Sequence, residues 1–115
     1  MRVRRYSVKS KVWIEDADGR IVFGLGRFRI LEAVERLGSL QAAARELKMS
    51  YRAVWCRVKL SEERIGKPLV VRQGRGSGLT ADAERLMKAF RRVQTIVETE
   101  SDEVFGDLMS GHLEE

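Results

Sequence analysis

Residues 38–66 read GSLQAAARELKMSYRAVWCRVKLSEERIG, two short amphipathic helical patterns on either side of a tight turn. Ser39 is placed as an N-cap, its side-chain oxygen able to accept from the first free amides of a helix. Leu40, Ala43, Ala44 and Leu47 then recur at i, i+3, i+4 and i+7, one buried face of a two-turn helix. The small side chains of Ala42, Ala43 and Ala44 let a second helix approach closely and cross steeply, as a helix-turn-helix requires. Lys48 and Met49 make the turn and Ser50 offers a second N-cap. Val54, Val58 and Ile65 carry the next buried stripe, while Tyr51, Arg52, Trp55 and Lys59 occupy the other face. At helical spacing Trp55 has two readings, packing at the edge of an exposed face or supporting the core.

Working outward, Gly66-Lys67-Pro68 leads into Leu69, Val70 and Val71, natural strand residues with proline at the strand start. Residues 72–78, RQGRGSG, place three glycines and two arginines in seven positions before Leu79-Thr80 resumes an extended piece. This predicts a two-stranded wing with a flexible basic tip. The Gly-Lys-Ser/Thr ending of a P-loop is absent, so a nucleotide cradle is not expected. Upstream, Phe28, Ile30, Leu31, Val34 and Leu37 share one side of a helix over 27–37, ended by Gly38 as a C-cap. Val8, Val12 and Ile14 alternate with lysines, and Asp18-Gly19 is a favoured turn pair. Residues 7–23 therefore read as a β-hairpin, with strands over 7–14 and 20–23.

Downstream, Thr80 is a plausible N-cap for a last helix, with Asp82 and Glu84 near its positive end. Leu86, Phe90, Val93, Val97 and Val104 follow spacings of four, three, four and seven, an a/d seam interrupted at Glu100 that calls for a partner helix. The expected class is mainly α with small β elements (α+β). Residues 1–80 form a β-hairpin plus winged helix-turn-helix, 81–105 a dimerisation helix, and 106–115 an acidic disordered tail.

The 115-residue chain carries a net charge of +5, and that figure understates its polarity. All 22 Lys and Arg residues lie at or before Arg92, while seven acids, Glu98, Glu100, Asp102, Glu103, Asp107, Glu114 and Glu115, follow it. With 22 bases against ten acids, residues 1–92 carry +12, a field that attracts polyanions and gains affinity by releasing phosphate counterions. One cysteine, Cys56, and one histidine, His112, give neither an internal disulfide nor a metal-ligand cluster, nor a nucleophile–base pair for an enzyme. No apolar run approaches a membrane span and the N-terminus lacks a secretory signal, so a cytoplasmic protein without cofactor is expected.

These patterns predict double-stranded DNA as the partner. The second helix of the motif presents Tyr51, Arg52, Trp55, Cys56 and Lys59 to the major groove, with Ser50 at its start also expected to bind DNA and Arg52 the candidate base reader. Ser39 and Gln41 reach a phosphate from the preceding helix. Lys67, Arg72 and Arg75 clamp neighbouring phosphates or the minor groove.

The order of elements, with GSLQAAARELKMSYRAVW and LVVRQGRGSGLTADAERL as its most specific parts, resembles the winged-helix domain of bacterial and archaeal ModE-type regulators, itself related to that of LysR-type regulators. The resemblance runs from about Leu25 to Phe90, and Tyr51-Arg52 followed by Trp55 is more similar to ModE. It implies transcription control by a homodimer on a palindromic operator. Ser61 departs from the family pattern by standing where related domains place an apolar residue, with Leu60 beside it, leaving the register at the helix end open. The chain ends before an oxyanion-binding region would fit, so molybdate or another oxyanion is not expected on it. A non-specific architectural DNA-binding protein and a protein-interaction winged-helix module are the alternatives.

Overall fold

The structure, a computed structural model, describes residues 6–113; residues 1–5 and the acids Glu114 and Glu115 of the expected tail lie outside them. In chain order the elements are β1 (Trp13–Glu15), β2 (Ile21–Gly24), α1 (Leu25–Leu37), α2 (Leu40–Glu46), α3 (Tyr51–Ile65), β3 (Val70–Gln73), β4 (Gly76–Leu79) and α4 (Ala81–Met109). They divide into two compact units, residues 13–88 and, in its described part, residues 6–12 with 89–113.

The core of the larger unit joins Ile30, Ala33 and Val34 of α1, Ala43 and Ala44 of α2, and Val54 and Val58 of α3. Leu40, Leu47, Met49, Val70 and Leu79 pack against it. Each buried branched side chain contributes roughly 1.5–3 kcal/mol relative to exposure. The two alanines keep α2 close to its neighbours. Its ends are set by local chemistry: Ser39 Oγ accepts from the Ala42 amide at 2.9 Å, and Ser50 Oγ accepts from the Ala53 amide at 3.0 Å to start α3. Gly38 closes α1 in the left-handed region at φ 78°, where an L side chain would be strained. Between α2 and α3 the chain turns through Lys48 at φ 57°, and Met49 N–H donates to Ala44 O at 2.9 Å.

Several boundaries differ from those the sequence suggests. β1 begins only at Trp13, so residues 7–12 are not strand; the partner β2 has four residues, too few to pair a longer run. The Val8 amide instead donates to Asp102 Oδ1 at 2.7 Å, within the smaller unit. α1 starts at Leu25 and includes Gly26, while Leu37, expected in the buried stripe, is exposed. Ile65 is only half-buried, and the buried stripe of α3 is completed by Ser61. That is chemically allowed because the Ser61 hydroxyl donates to Val22 O at 2.6 Å, so no polar group is desolvated without a partner. The register left open at this position is thereby fixed.

β3 and β4 pair antiparallel from Val70↔Leu79 to Gln73↔Gly76, joined by Gly74-Arg75. Their glycines have definite tasks. At Gly76 a Cβ would stand 2.1 Å from Gly38 O, and the next amide, Ser77 N–H, donates to that same carbonyl at 2.8 Å. Thr80 Oγ1 accepts from Ala83 N–H at 3.1 Å and its hydroxyl donates to Pro68 O at 2.8 Å, capping α4 while holding the base of the hairpin. α4 continues to Met109, so residues 106–109, expected in the tail, are helical. In the smaller unit the rings of Tyr6 and Phe105 lie 6.5 Å apart. Phe90, expected in an intermolecular seam, is buried within the monomer.

Candidate nucleic-acid interface

The helical period sorts α3 into a buried side and an exposed one. Val54, Val58 and Ser61 point inward, while Tyr51, Arg52, Trp55, Cys56 and Lys59 are exposed. Trp55 retains 42% of its accessible surface and Tyr51 50%, so the tryptophan belongs to the exposed face and not the core. The ammonium of Lys59 lies 5.6 Å from the centre of the Trp55 ring, a cation–π contact.

An open groove of about 360 Å³ is lined by Tyr51, Trp55 and Lys59 of α3, Ser39 and Gln41 at the start of α2, and Arg72 and Arg75 of the wing. Three elements far apart in sequence thus deliver hydroxyl, amide, aromatic and cationic groups to one concave surface. Beside it, Tyr51, Arg52, Trp55 and Cys56 line a second open depression. Ser50 and Lys67 line neither: the Ser50 oxygen caps α3 and Lys67 follows the helix C-cap, exposed.

Glu62, which the sequence pattern did not single out, holds this surface together. Its Oε2 accepts from the amides of Leu69 and Val70 at 2.8 and 3.1 Å, and Lys59 Nζ lies 3.1 Å from its Oε1. Partial burial pushes the carboxyl pKa up, but the two amides and the Lys59 ammonium outweigh it and hold the pKa below the usual glutamate range. One carboxylate therefore fixes the base of the wing and a cation of the exposed face together. The signal available in the sequence was an acid in the last turn of a helix, where it opposes the macrodipole and needs another reason to be there. Arg64 was likewise unflagged; its Nη1 donates to Ile21 O at 2.6 Å. Among the described residues no group of His, Cys, Asp and Glu is arranged to hold a metal ion, and no helix is long and apolar enough to cross a membrane.

The profile of the bacterial regulatory helix-turn-helix protein, lysR family, matches residues 25–84, more than half of the chain and all of the groove. The chain belongs to this family. It is 37% identical over 73 residues to the molybdenum transport protein ModE of Azotobacter vinelandii, covering 59% of this chain and 27% of that protein. It is 34% identical over 76 residues to the molybdenum-pterin-binding protein MopB of Rhodobacter capsulatus, covering 62% and 28%. This member therefore spans little more than a quarter of the length of these two relatives. Among solved structures, full-length CbnR complexed with its target DNA superposes with a TM-score of 0.57 at 25% identity, over 70% of this chain and 28% of that one. The CbnR DBD–DNA complex gives a TM-score of 0.57 at 24% identity over 72% and 95%, a likeness of fold.

Proposed function

We propose that this chain binds double-stranded DNA sequence-specifically as a homodimer and regulates transcription from a palindromic operator. The observation that carries the reading is the single groove into which α3, the start of α2 and the wing bring Tyr51, Trp55, Lys59, Gln41, Arg72 and Arg75. α3 enters the major groove with its first turns on the base edges; Arg52 grips a guanine through two hydrogen bonds, discrimination worth roughly 1–3 kcal/mol. Arg72, Arg75 and Lys67 take phosphates beside the wing. The DNA-bound structures of the same fold support this placement, and membership of the regulatory helix-turn-helix family supports a regulator.

Dimerisation proceeds through α4, where Val93, Ile96, Val104 and Leu108 are 46–72% exposed and fall along one side of the helix. Leu86 and Val97, both half-buried, lie within that stripe by the helical period. Two such faces together remove apolar surface from water, and the twofold axis sets recognition helices about 34 Å apart, one helical turn of DNA.

The test is retention of sheared genomic DNA by the purified protein at near-physiological salt, followed by sequencing. Enrichment of a few palindromic sites is expected, and Arg52→Ala should lose that preference while keeping non-specific binding. Retention without enrichment would replace this reading by an architectural role, and absence of retention by a protein-docking one.

A further inference from the structure

Arg27, Arg57 and Arg64 form a cationic cluster on the side of α3 away from the wing. Arg57 and Arg64 are seven residues apart, within about 20° of each other around the helix, and about 140–160° from Glu62, which faces the wing. Arg27, in the first turn of α1, is half-buried and donates from Nε to Arg57 O at 3.4 Å. The other two guanidinium groups also meet only carbonyls: Arg57 Nη1 donates to Ala53 O at 3.2 Å and Arg64 Nη1 to Ile21 O at 2.6 Å. Among the described residues none of the three is in an ion pair. Glu63, the neighbouring acid, lies about 100° round the helix from Arg64. Burial, and then the charges of Arg64 and Arg57, lower the Arg27 pKa, as expected where like charges crowd without a counterion.

A helix lying in the major groove has a phosphate backbone on each side of it. The wing arginines serve one side. We propose that Arg27, Arg57 and Arg64 form the opposite wall, binding the phosphates of the second strand so that α3 is clamped from both flanks. The proposal rests on the duplex-DNA reading above and adds a phosphate site on the flank of α3 opposite the wing. Phosphate is the anion that fits, because forked guanidinium donors match its oxygens and several can share one backbone. The same contacts lower the repulsion that the cluster carries in the free protein.

The experiment is the salt dependence of affinity for two duplexes, one recovered from the genomic selection and one scrambled, with the full chain and its variants. Each lost phosphate contact should reduce the slope of log K against log salt by about 0.9. Arg57→Gln should do so once and Arg27→Gln with Arg57→Gln about twice, with the ratio between the two duplexes unchanged. Arg57→Lys should keep the wild-type slope, as should Arg20→Gln, whose guanidinium is already paired with Asp16. If the double variant does not fold by circular dichroism, Arg57→Gln alone carries the test, since that side chain bonds only to its own helix. An unchanged slope in a folded variant overturns the second wall and leaves DNA binding intact; so does a changed duplex ratio, which would mean base contact. Failure of the wild type to bind either duplex overturns the DNA reading and this site with it.

Discussion

The two hairpins of the larger unit are nearly the same size, yet they are fastened to α3 by opposite chemistry. β2 presents carbonyls, and α3 reaches them with donors, Ser61 to Val22 O and Arg64 to Ile21 O. The chain entering β3 presents amides, and α3 meets them with an acceptor, the Glu62 carboxylate. Ser61, Glu62 and Arg64 lie within one turn of helix, so a four-residue stretch chooses the position of both hairpins. The wing is anchored as well by a backbone contact in which Gly76 approaches Gly38 and Ser77 N–H donates to it. The difference shows that α3 is held as a beam between two small sheets, and that residue type at each point follows from which backbone group is on offer.

The wing's extra anchor is the part of this contrast most easily broken. Gly76→Ala sets a methyl group against a backbone carbonyl that cannot move without displacing the α1 cap, and it should cost about 3 kcal/mol, measured by urea unfolding. Gly78→Ala should cost clearly less, because the nearest atom to its Cβ is the flexible end of Gln73. Equal losses would mean that the Gly38 contact does not fix the wing. On the other hairpin, Ser61→Ala removes the donor to Val22 O and opens a small void beside α3, an expected loss of about 2 kcal/mol, while Ser61→Thr should retain the hydrogen bond. If Ser61→Ala is neutral, the first hairpin is positioned by apolar packing and the comparison fails on that side.

The elements were legible where the signal is local. Ser39, Ser50, Gly38 and Thr80 mark helix ends by capping chemistry that a few neighbouring residues decide, and the helical spacing of apolar positions assigns Val54 and Val58 to the core. The same local reading placed Tyr51, Arg52, Trp55 and Lys59 on one side of α3. It overextended β1, because alternation over 7–12 says nothing about whether a partner strand is long enough to pair. It assigned Phe90 to an intermolecular seam because a heptad pattern reads the same for a core face and a dimer face. The partners of Ser61 and Arg64 escaped because they are 39 and 43 residues away, and the role of Glu62 escaped because it depends on amides that become free only where the chain leaves α3. Arg27 and Arg57 were hidden for a related reason: basic residues on two helices show no cluster until the helices cross.

The smallest effect sharpens the contrast by pH. Glu62→Gln keeps an oxygen that can accept from Leu69 and Val70 but removes the charge that Lys59 meets, an expected loss of about 1 kcal/mol at neutral pH. The folded pKa of Glu62 lies below its ordinary value, so its contribution is present above the unfolded glutamate pKa and is lost as pH falls through the folded one. The wild-type advantage over Glu62→Gln should therefore hold at neutral pH and shrink through the acid range below the ordinary glutamate pKa. Ser61→Ala, in which no titrating group changes, should show a constant loss over the same range. A Glu62→Gln difference that is flat with pH would mean that the carboxylate acts only as a neutral acceptor, and the two hairpins would then be fastened by hydrogen bonds of the same kind.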